Sequence, residues 1–325
     1  MNCKWLSLLF LIQLQCSVLG VLQDKIPTPE FDFKSLSIKE ISFTDITLKL
    51  ETSVTNPYPV ALASSLLDMD LKVEGLNLSH IKTDLGAIEA KKTKTLPLDV
   101  KFKYTDLLNL YQKFPDKQFL ELSCEGDMKV PIPKEWQLLG KDSITIPFTK
   151  KREIPAVMPN VEIKNFNILM PSKEDILSSS NSTTVATQAL NFLDGLLGGK
   201  GKKTGTTSAT QAGLAGLNLP LKTEFDFEFT NQAAANLLLS GLGYDLKLAG
   251  ENFLSGSPKE IINSGKTSTA RVSTTFPLAS ISSSLYKTIQ TRTATFDLKG
   301  NSQVELKELQ EKIPFLYEKK GNFRW

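Results

Sequence analysis

The residue types that most often do chemistry are sparse in this chain. It has one histidine, His80, and three cysteines, of which only Cys124 lies beyond residue 16. A catalytic thiol needs a basic partner, but His80 lies in a turn-like segment and Cys124 in the strand-like stretch FLELSCEGDMKV. One histidine and one such cysteine also cannot build a zinc site. We therefore predict no Cys/His catalysis and no metal, and we interpret Cys124 as a small core residue.

Paired carboxylates raise the question of general acid–base chemistry. They occur at Glu174-Asp175 and at Asp68 and Asp70. No convergent set of partners accompanies them, and Asp70 recurs later in the chain as Asp245. We interpret them as part of a solvated strand face.

A glycine-rich stretch, GLLGGKGKKTGTTS at 195–208, suggests a phosphate-binding loop. The spacing is wrong, because Leu196 stands where the first glycine is needed and Lys203 separates Gly201-Lys202 from Thr204. No strand leads into it. We predict a flexible, weakly basic loop without a nucleotide or other cofactor.

Composition narrows the function classes further. The 325 residues are 41% hydrophobic and 22% charged, which is typical of a chain that buries a core. The net charge of +3 and the lack of an aromatic-interleaved basic patch argue against nucleic acid. We therefore predict no nucleic acid and no small-molecule substrate among the partners, and no enzymatic activity.

The first twenty residues, MNCKWLSLLFLIQLQCSVLG, are typical of a secretory signal peptide. Two cleavage sites compete. Val18-Leu19-Gly20 suits an ordinary signal peptidase cutting after Gly20, whereas Leu14-Gln15-Cys16 resembles a relaxed bacterial lipobox, with cleavage before a lipidated Cys16. We favour the lipoprotein, and so predict export to the cell envelope and a membrane anchor, with the leaflet left open.

The second half of the chain repeats the first. ETSVTNPYPVALASSLLDMDLKVEG at 51–75 aligns with EFDFEFTNQAAANLLLSGLGYDLKLAG at 224–250, and four later segments follow in the same order. The alignment places Asn56 over Asn231 and Gly75 over Gly250.

Each copy has the pattern of a β-sandwich. Alternating apolar residues predict strands with one buried face, and Asn-Pro and glycine breaks predict the turns. One short helix per copy is indicated, with Thr105 and Ser280 as candidate caps. We predict an all-β fold of two tandem antiparallel sandwiches of the immunoglobulin/fibronectin-III kind, at 28–154 and 158–325.

These residues resemble a known family. Asn56-Pro57, the run Asp70-Leu71-Lys72-Val73-Glu74-Gly75 and the segment Thr95-Leu96-Pro97-Leu98 are similar to the water-stress-and-hypersensitive-response (WHy) domain of group-2 late-embryogenesis-abundant proteins. The second copy departs from the pattern, since Gln232 replaces the proline. The resemblance implies a non-catalytic role in tolerance of water deficit, acting on client proteins or a membrane surface. We predict structural roles for the motif residues, because asparagine bonds readily to nearby backbone and proline presets φ. These residues are Asn56, Pro57, Gly75, Asn231 and Gly250.

An insert at 178–218 interrupts the second copy. Its stretch STTVATQALNFLDGLLGG places apolar residues on one helical face: Val185, Ala189, Phe192, Leu193, Leu196 and Leu197. This face either packs back on the domain or contacts a lipid or a partner. The alternative function is therefore an envelope binding or adhesion module that uses the insert.

Overall fold

Strands dominate the structure, a computed structural model that describes residues 28–134, 137, 142–169, 171–179, 187, 191, 220–277, 282–306 and 310–325. The predicted all-β fold class is confirmed. The strands of the first half are β1 (Glu30–Ile41), β2 (Asp45–Thr55), β3 (Leu66–Val73), β4 (Leu76–Asp84), β5 (Thr93–Lys103), β6 (Phe119–Pro131) and β7 (Ser143–Pro155), with helix α1 (Tyr104–Lys113).

Among the described residues, the second half has the order of elements of the first with one additional strand and one additional helix, where the sequence predicts a single helix per copy. Its strands are β8 (Pro159–Leu169), β9 (Pro220–Asn231), β10 (Leu239–Leu248), β11 (Glu251–Gly256), β12 (Glu260–Ser264), β13 (Thr267–Pro277), β14 (Thr293–Leu306) and β15 (Glu311–Arg324). Its helices are α2 (Lys173–Ser179) and α3 (Ser283–Thr291). Helix α1 lies between β5 and β6, and α3 lies at the equivalent place, between β13 and β14.

The chain forms two compact units. Unit 1 contains the residues up to Ser37, Leu48–Val100 and Leu120–Ile154. Unit 2 contains Ile38–Thr47, Lys101–Phe119 and Pro155–Trp325.

Unit 1 has two groups of hydrogen-bonded strands, in the orders β1-β2-β5 and β4-β3-β6-β7. Burial alternates along them, as in β3, where Leu67, Met69, Leu71 and Val73 are buried and the residues between them are not. This alternation places one face of each sheet in the core. The outer strand β5 carries an exposed proline, Pro97, in its middle.

Unit 2 is built around aromatic side chains. Its sheets run β11-β10-β14-β15 and β12-β13-β9-β8. Phe225, Phe227 and Phe229 on β9 and Phe315 on β15 are essentially inaccessible to solvent. The end of β1 differs from the antiparallel pattern that the sequence predicts, because it lies parallel to β15, with Ile41 opposite Phe315.

The helices begin at different residues from those predicted. Helix α3 is capped by Ser282, whose Oγ accepts a hydrogen bond from the Leu285 amide at 3.1 Å. Helix α1 already includes Thr105 and has no side-chain cap. Its N-cap is Lys103, two residues before the predicted cap. Its first residue, Tyr104, is buried, and the Tyr104 amide donates to the Thr44 carbonyl at 2.9 Å.

Candidate functional site

The buried amide of Asn56 holds the corner that follows β2. Its Nδ2 donates to the carbonyls of Val60 at 2.9 Å, Ile88 at 3.1 Å and Glu89 at 3.0 Å. Its Oδ1 accepts the amide of Tyr58 at 2.9 Å. Asparagine suits this position because one side chain supplies both donors and an acceptor at short range.

Asn231 makes the equivalent contacts after β9. Its Oδ1 accepts the amides of Ala233 at 3.1 Å and Met158 at 2.7 Å, and its Nδ2 donates to the carbonyls of Ala156 at 2.9 Å and Ala235 at 2.7 Å. The bonds to residues two and four positions later match those of Asn56. The repeat in the sequence therefore corresponds to a repeated local geometry.

The residue after each asparagine differs for a physical reason. In the first half Pro57 follows, and its carbonyl accepts a hydrogen bond from the Lys91 ammonium. In the second half Gln232 follows, and its amide donates to the Met158 carbonyl at 3.0 Å. Proline has no N–H and could not make that bond.

Gly75 and Gly250 both lie in two-residue hairpin turns. In the first turn φ is +50° at Glu74 and +76° at Gly75, and in the second it is +52° at Ala249 and +83° at Gly250. Two successive left-handed residues are the signature of a type I′ turn, which suits the twist of an antiparallel hairpin. Glycine adopts this conformation without strain, which explains its position in both copies.

Two further glycines, Gly126 and Gly300, also have a structural role that the sequence interpretation missed. A Cβ on Gly126 would collide with the backbone of Asp68 and Met69, and one on Gly300 would collide with the Gly243 carbonyl and the Tyr317 ring. The alignment of 120–130 with 294–304 places these two glycines over each other, so the signal was present.

Cys124 and His80 lie on opposite faces of one sheet. Cys124 is opposite Leu71 on the buried face. His80 lies within strand β4, not in a turn as the sequence suggests, and is opposite Asp70 on the exposed face. Burial raises the pKa of the Cys124 thiol to about 12. The thiol is therefore protonated at neutral pH. Cys124 is a buried core residue, as the sequence predicts.

The exposed face around His80 carries polar and charged side chains in contact with one another. His80 Nδ1 lies 2.8 Å from Asp70 Oδ1 and its Nε2 lies 3.3 Å from Asp68 Oδ1. Lys82 Nζ lies 3.4 Å from Asp68 Oδ2, and Lys72 pairs with Glu125. The two aspartates thus belong to a solvated strand face. In the part of the chain that the structure describes, no cluster of metal-ligating side chains converges on one point.

A shallow cleft of about 470 Å³ lies on β10, β11 and β14 of unit 2. Charges of both signs line it, from Asp245, Lys247, Asp297 and Lys299. Lys299 also pairs with Glu318 at 3.0 Å. The cleft therefore has balanced charge, and its lining contains no histidine or cysteine that could act as a nucleophile or base.

The remaining predicted site residues lie outside the described residues. These are the lipidation site Cys16 and the candidate contact residues Val185, Phe192, Leu193, Leu196 and Leu197. In the described ranges, no helix has both the length and the apolar character needed to cross a membrane.

Comparison with known proteins gives one family match. Residues 51–152 match the family described as late embryogenesis abundant protein, type LEA_2. No curated protein sequence matches the chain significantly.

Solved structures with partial similarity include a protein of Arabidopsis thaliana. It is 23% identical, with 40% of this chain and 83% of that chain covered and a TM-score of 0.33. A second structure, described as that of a late embryogenesis abundant protein, is 21% identical, with coverages of 45% and 87% and a TM-score of 0.31. A protein of Archaeoglobus fulgidus is 10% identical, with coverages of 40% and 95% and a TM-score of 0.28. With TM-scores this low, these structures carry no conclusion about this chain. The family match covers the chain from β2 into β7.

Proposed function

We propose that this chain is a non-enzymatic stress-protection protein of the late-embryogenesis-abundant type 2 class. The match of residues 51–152 to that family carries the proposal. The chemistry of the described residues supports it, since the thiol is buried and protonated and the histidine is held by two carboxylates.

The proposal includes two copies of the WHy domain. The equivalent hydrogen bonds of Asn56 and Asn231 and the matching type I′ turns at Gly75 and Gly250 support a duplicated unit. The family match lies in the first copy only. The repeat in the sequence and the repeated local geometry are what support the second copy.

The proposed mechanism is physical separation of client molecules. The exposed strand faces carry paired charges, such as Lys299 with Glu318 and Lys151 with Glu121. Charged surfaces of this kind stay hydrated and resist association with one another. A folded particle with such a surface keeps client proteins apart as water is lost.

Protection on drying tests the proposal. A drying-sensitive enzyme such as lactate dehydrogenase is dried and rehydrated with the protein or with an equal mass of serum albumin. We expect more recovered activity with the protein, and equal recovery with a variant lacking residues 178–218. Recovery no better than with albumin contradicts the proposal. Protection that disappears with the insert instead favours the alternative, in which the insert binds a lipid or a partner.

We also propose that the protein is exported and held at a membrane by lipid on Cys16. The sequence Leu14-Gln15-Cys16 supports this part. The intact mass of protein recovered from its own membranes tests it, with Cys16→Ala as the control. A chain that begins at Cys16 with added acyl mass is expected. An unmodified chain that begins at Val21 contradicts the anchor.

A further inference from the structure

Two segments that come from the first sequence copy lie within unit 2. They are Ile38–Thr47, at the corner between β1 and β2, and Lys101–Phe119, which contains α1. The repeat in the sequence would assign both to the first copy. Their contacts within unit 2 show what they contribute to it.

The first segment adds to the aromatic core of unit 2. Ile41, which is fully buried, lies opposite Phe315 in the parallel pairing of β1 with β15. The ring of Phe43 lies 5.3 Å from that of Phe315, 5.7 Å from that of Tyr317 and 6.3 Å from that of Phe229. Aromatic contacts at these separations bury area and contribute to stability beyond it.

The second segment holds the stretch of chain that precedes β8. The Tyr111 hydroxyl donates to the Val157 carbonyl at 3.0 Å, and the Ala156 amide donates to the Gln118 carbonyl at 2.8 Å. Ala156 also accepts the Nδ2 hydrogen bond of Asn231. A flexible linker between independent domains has few such contacts, whereas Ala156 and Val157 are buried.

The two segments also contact each other. The Tyr104 amide donates to the Thr44 carbonyl at 2.9 Å, and Lys101 Nζ lies 3.1 Å from Asp45 Oδ1. They therefore form one connected part of unit 2.

The path of the chain makes these segments inseparable from unit 1. The chain passes from one unit to the other five times, at Ser37/Ile38, Thr47/Leu48, Val100/Lys101, Phe119/Leu120 and Ile154/Pro155. When unit 1 unfolds, the chain on either side of both segments becomes disordered, and the segments lose the constraint that holds them in unit 2.

We propose that the second half is not an independently folding domain, and that both units unfold in one cooperative transition because unit 2 requires residues 38–47 and 101–119. This inference does not depend on the proposed function. A sequence can be duplicated without each copy folding as an independent unit.

Hydrogen exchange on the full chain tests the proposal. The readout is the exchange rate of the slowest amides in β3 of unit 1 and in β9 of unit 2. The variant Phe43→Ala removes a ring from unit 2. Its matched control, Phe31→Ala, removes a ring that lies 4.8 Å from Phe148 in unit 1. We expect each variant to accelerate exchange in both strands by the same factor, about tenfold or more.

Effects confined to β9 for Phe43→Ala and to β3 for Phe31→Ala overturn the proposal, because they show independent unfolding. Unchanged exchange in β9 for Phe43→Ala also overturns it, because the first segment then does not stabilise unit 2. If Phe43→Ala fails to fold, Tyr111→Phe carries the same test, since it removes only the hydroxyl that binds Val157.

Discussion

At the scale of single residues, Asn56 and Asn231 each satisfy several backbone groups that solvent does not reach. Both side chains are buried, and each makes four hydrogen bonds to the backbone. Alanine at either position would leave buried carbonyls and amides without partners. Such orphaned groups cost more free energy than the average hydrogen bond contributes.

We therefore expect Asn56→Ala and Asn231→Ala each to lower the free energy of unfolding by about 3 kcal/mol. Urea denaturation monitored by circular dichroism measures this. Asn77→Ala is the matched control, because Asn77 is exposed on β4, and we expect it to change stability by less than about 0.5 kcal/mol. Equal effects at Asn56 and Asn77 would contradict the role assigned to the buried amide.

Cys124 makes stability depend on pH in the alkaline range. Its folded pKa of about 12 lies above its ordinary value of 9.0, because burial disfavours the thiolate. The folded chain therefore holds this proton more tightly than the unfolded chain does. The resulting stability is fully present below pH 9.0 and is lost as pH rises from 9.0 towards 12.

We predict that Cys124→Ala reduces the alkaline loss of stability. Between pH 9.5 and 11 the free energy of unfolding of the variant should fall less steeply than that of the parent, by about 1.4 kcal/mol per pH unit. Burial also raises the pKa of Tyr111, so a residual decline above pH 10 should remain in both proteins. Parallel stability curves for the two proteins would show that Cys124 is not the titrating group.

At the scale of elements, the two type I′ hairpins share a geometry but not an optimal sequence. The first left-handed position is occupied by Glu74 in one hairpin and by Ala249 in the other. Asparagine tolerates this conformation better than alanine does, and Asn-Gly is a favoured type I′ pair. A residue that tolerates positive φ better than alanine should therefore stabilise the second hairpin at position 249.

We expect Ala249→Asn to raise the free energy of unfolding by about 0.5–1 kcal/mol. Ala249→Val is the opposing variant, because a β-branched residue is strained at positive φ, and it should lower stability. Thermal denaturation of the two variants and the parent gives the order. A destabilised Ala249→Asn would mean that the turn differs from the geometry described.

Much of the element structure could be predicted because it is encoded locally. Alternation in LKLETSV and FDFEF predicts β2 and β9, and the apolar spacing in 105–114 predicts α1. Strand β12 and the parallel pairing of Ile41 with Phe315 could not be predicted in this way. A strand's partner depends on residues that are distant in sequence, and a period of two does not specify them.

At the scale of the whole molecule, the boundaries of the two sequence copies differ from the boundaries of the two compact units. The alignment correctly places residues with equivalent geometry, such as Asn56 and Asn231. It carries no information on which segments pack together, so the placement of Ile38–Thr47 and Lys101–Phe119 in unit 2 emerges only in three dimensions. In the candidate site, the turn glycines could be predicted from the sequence because they depend on local conformation. The contacts of Phe43 and Tyr111 could not, because their partners are distant in the sequence.

Surface charge contributes little to holding the molecule together. Pairs such as Lys92 with Glu89 and Lys299 with Glu318 are largely exposed, and exposed pairs contribute little to stability. Stability therefore comes mainly from the buried alternating faces and the aromatic core of unit 2. The charges instead keep the surface hydrated.

Pro97 limits the pairing of β5 with strands of neighbouring molecules. It lies in the middle of β5, the last strand in its order, and it is exposed. A strand from a neighbouring molecule that lay along β5 would meet a position with no N–H to donate, so the intermolecular ladder would be broken at its centre. As water leaves a concentrated solution and copies of this chain collide more often, that single ring favours separate particles over fibrous growth from this strand.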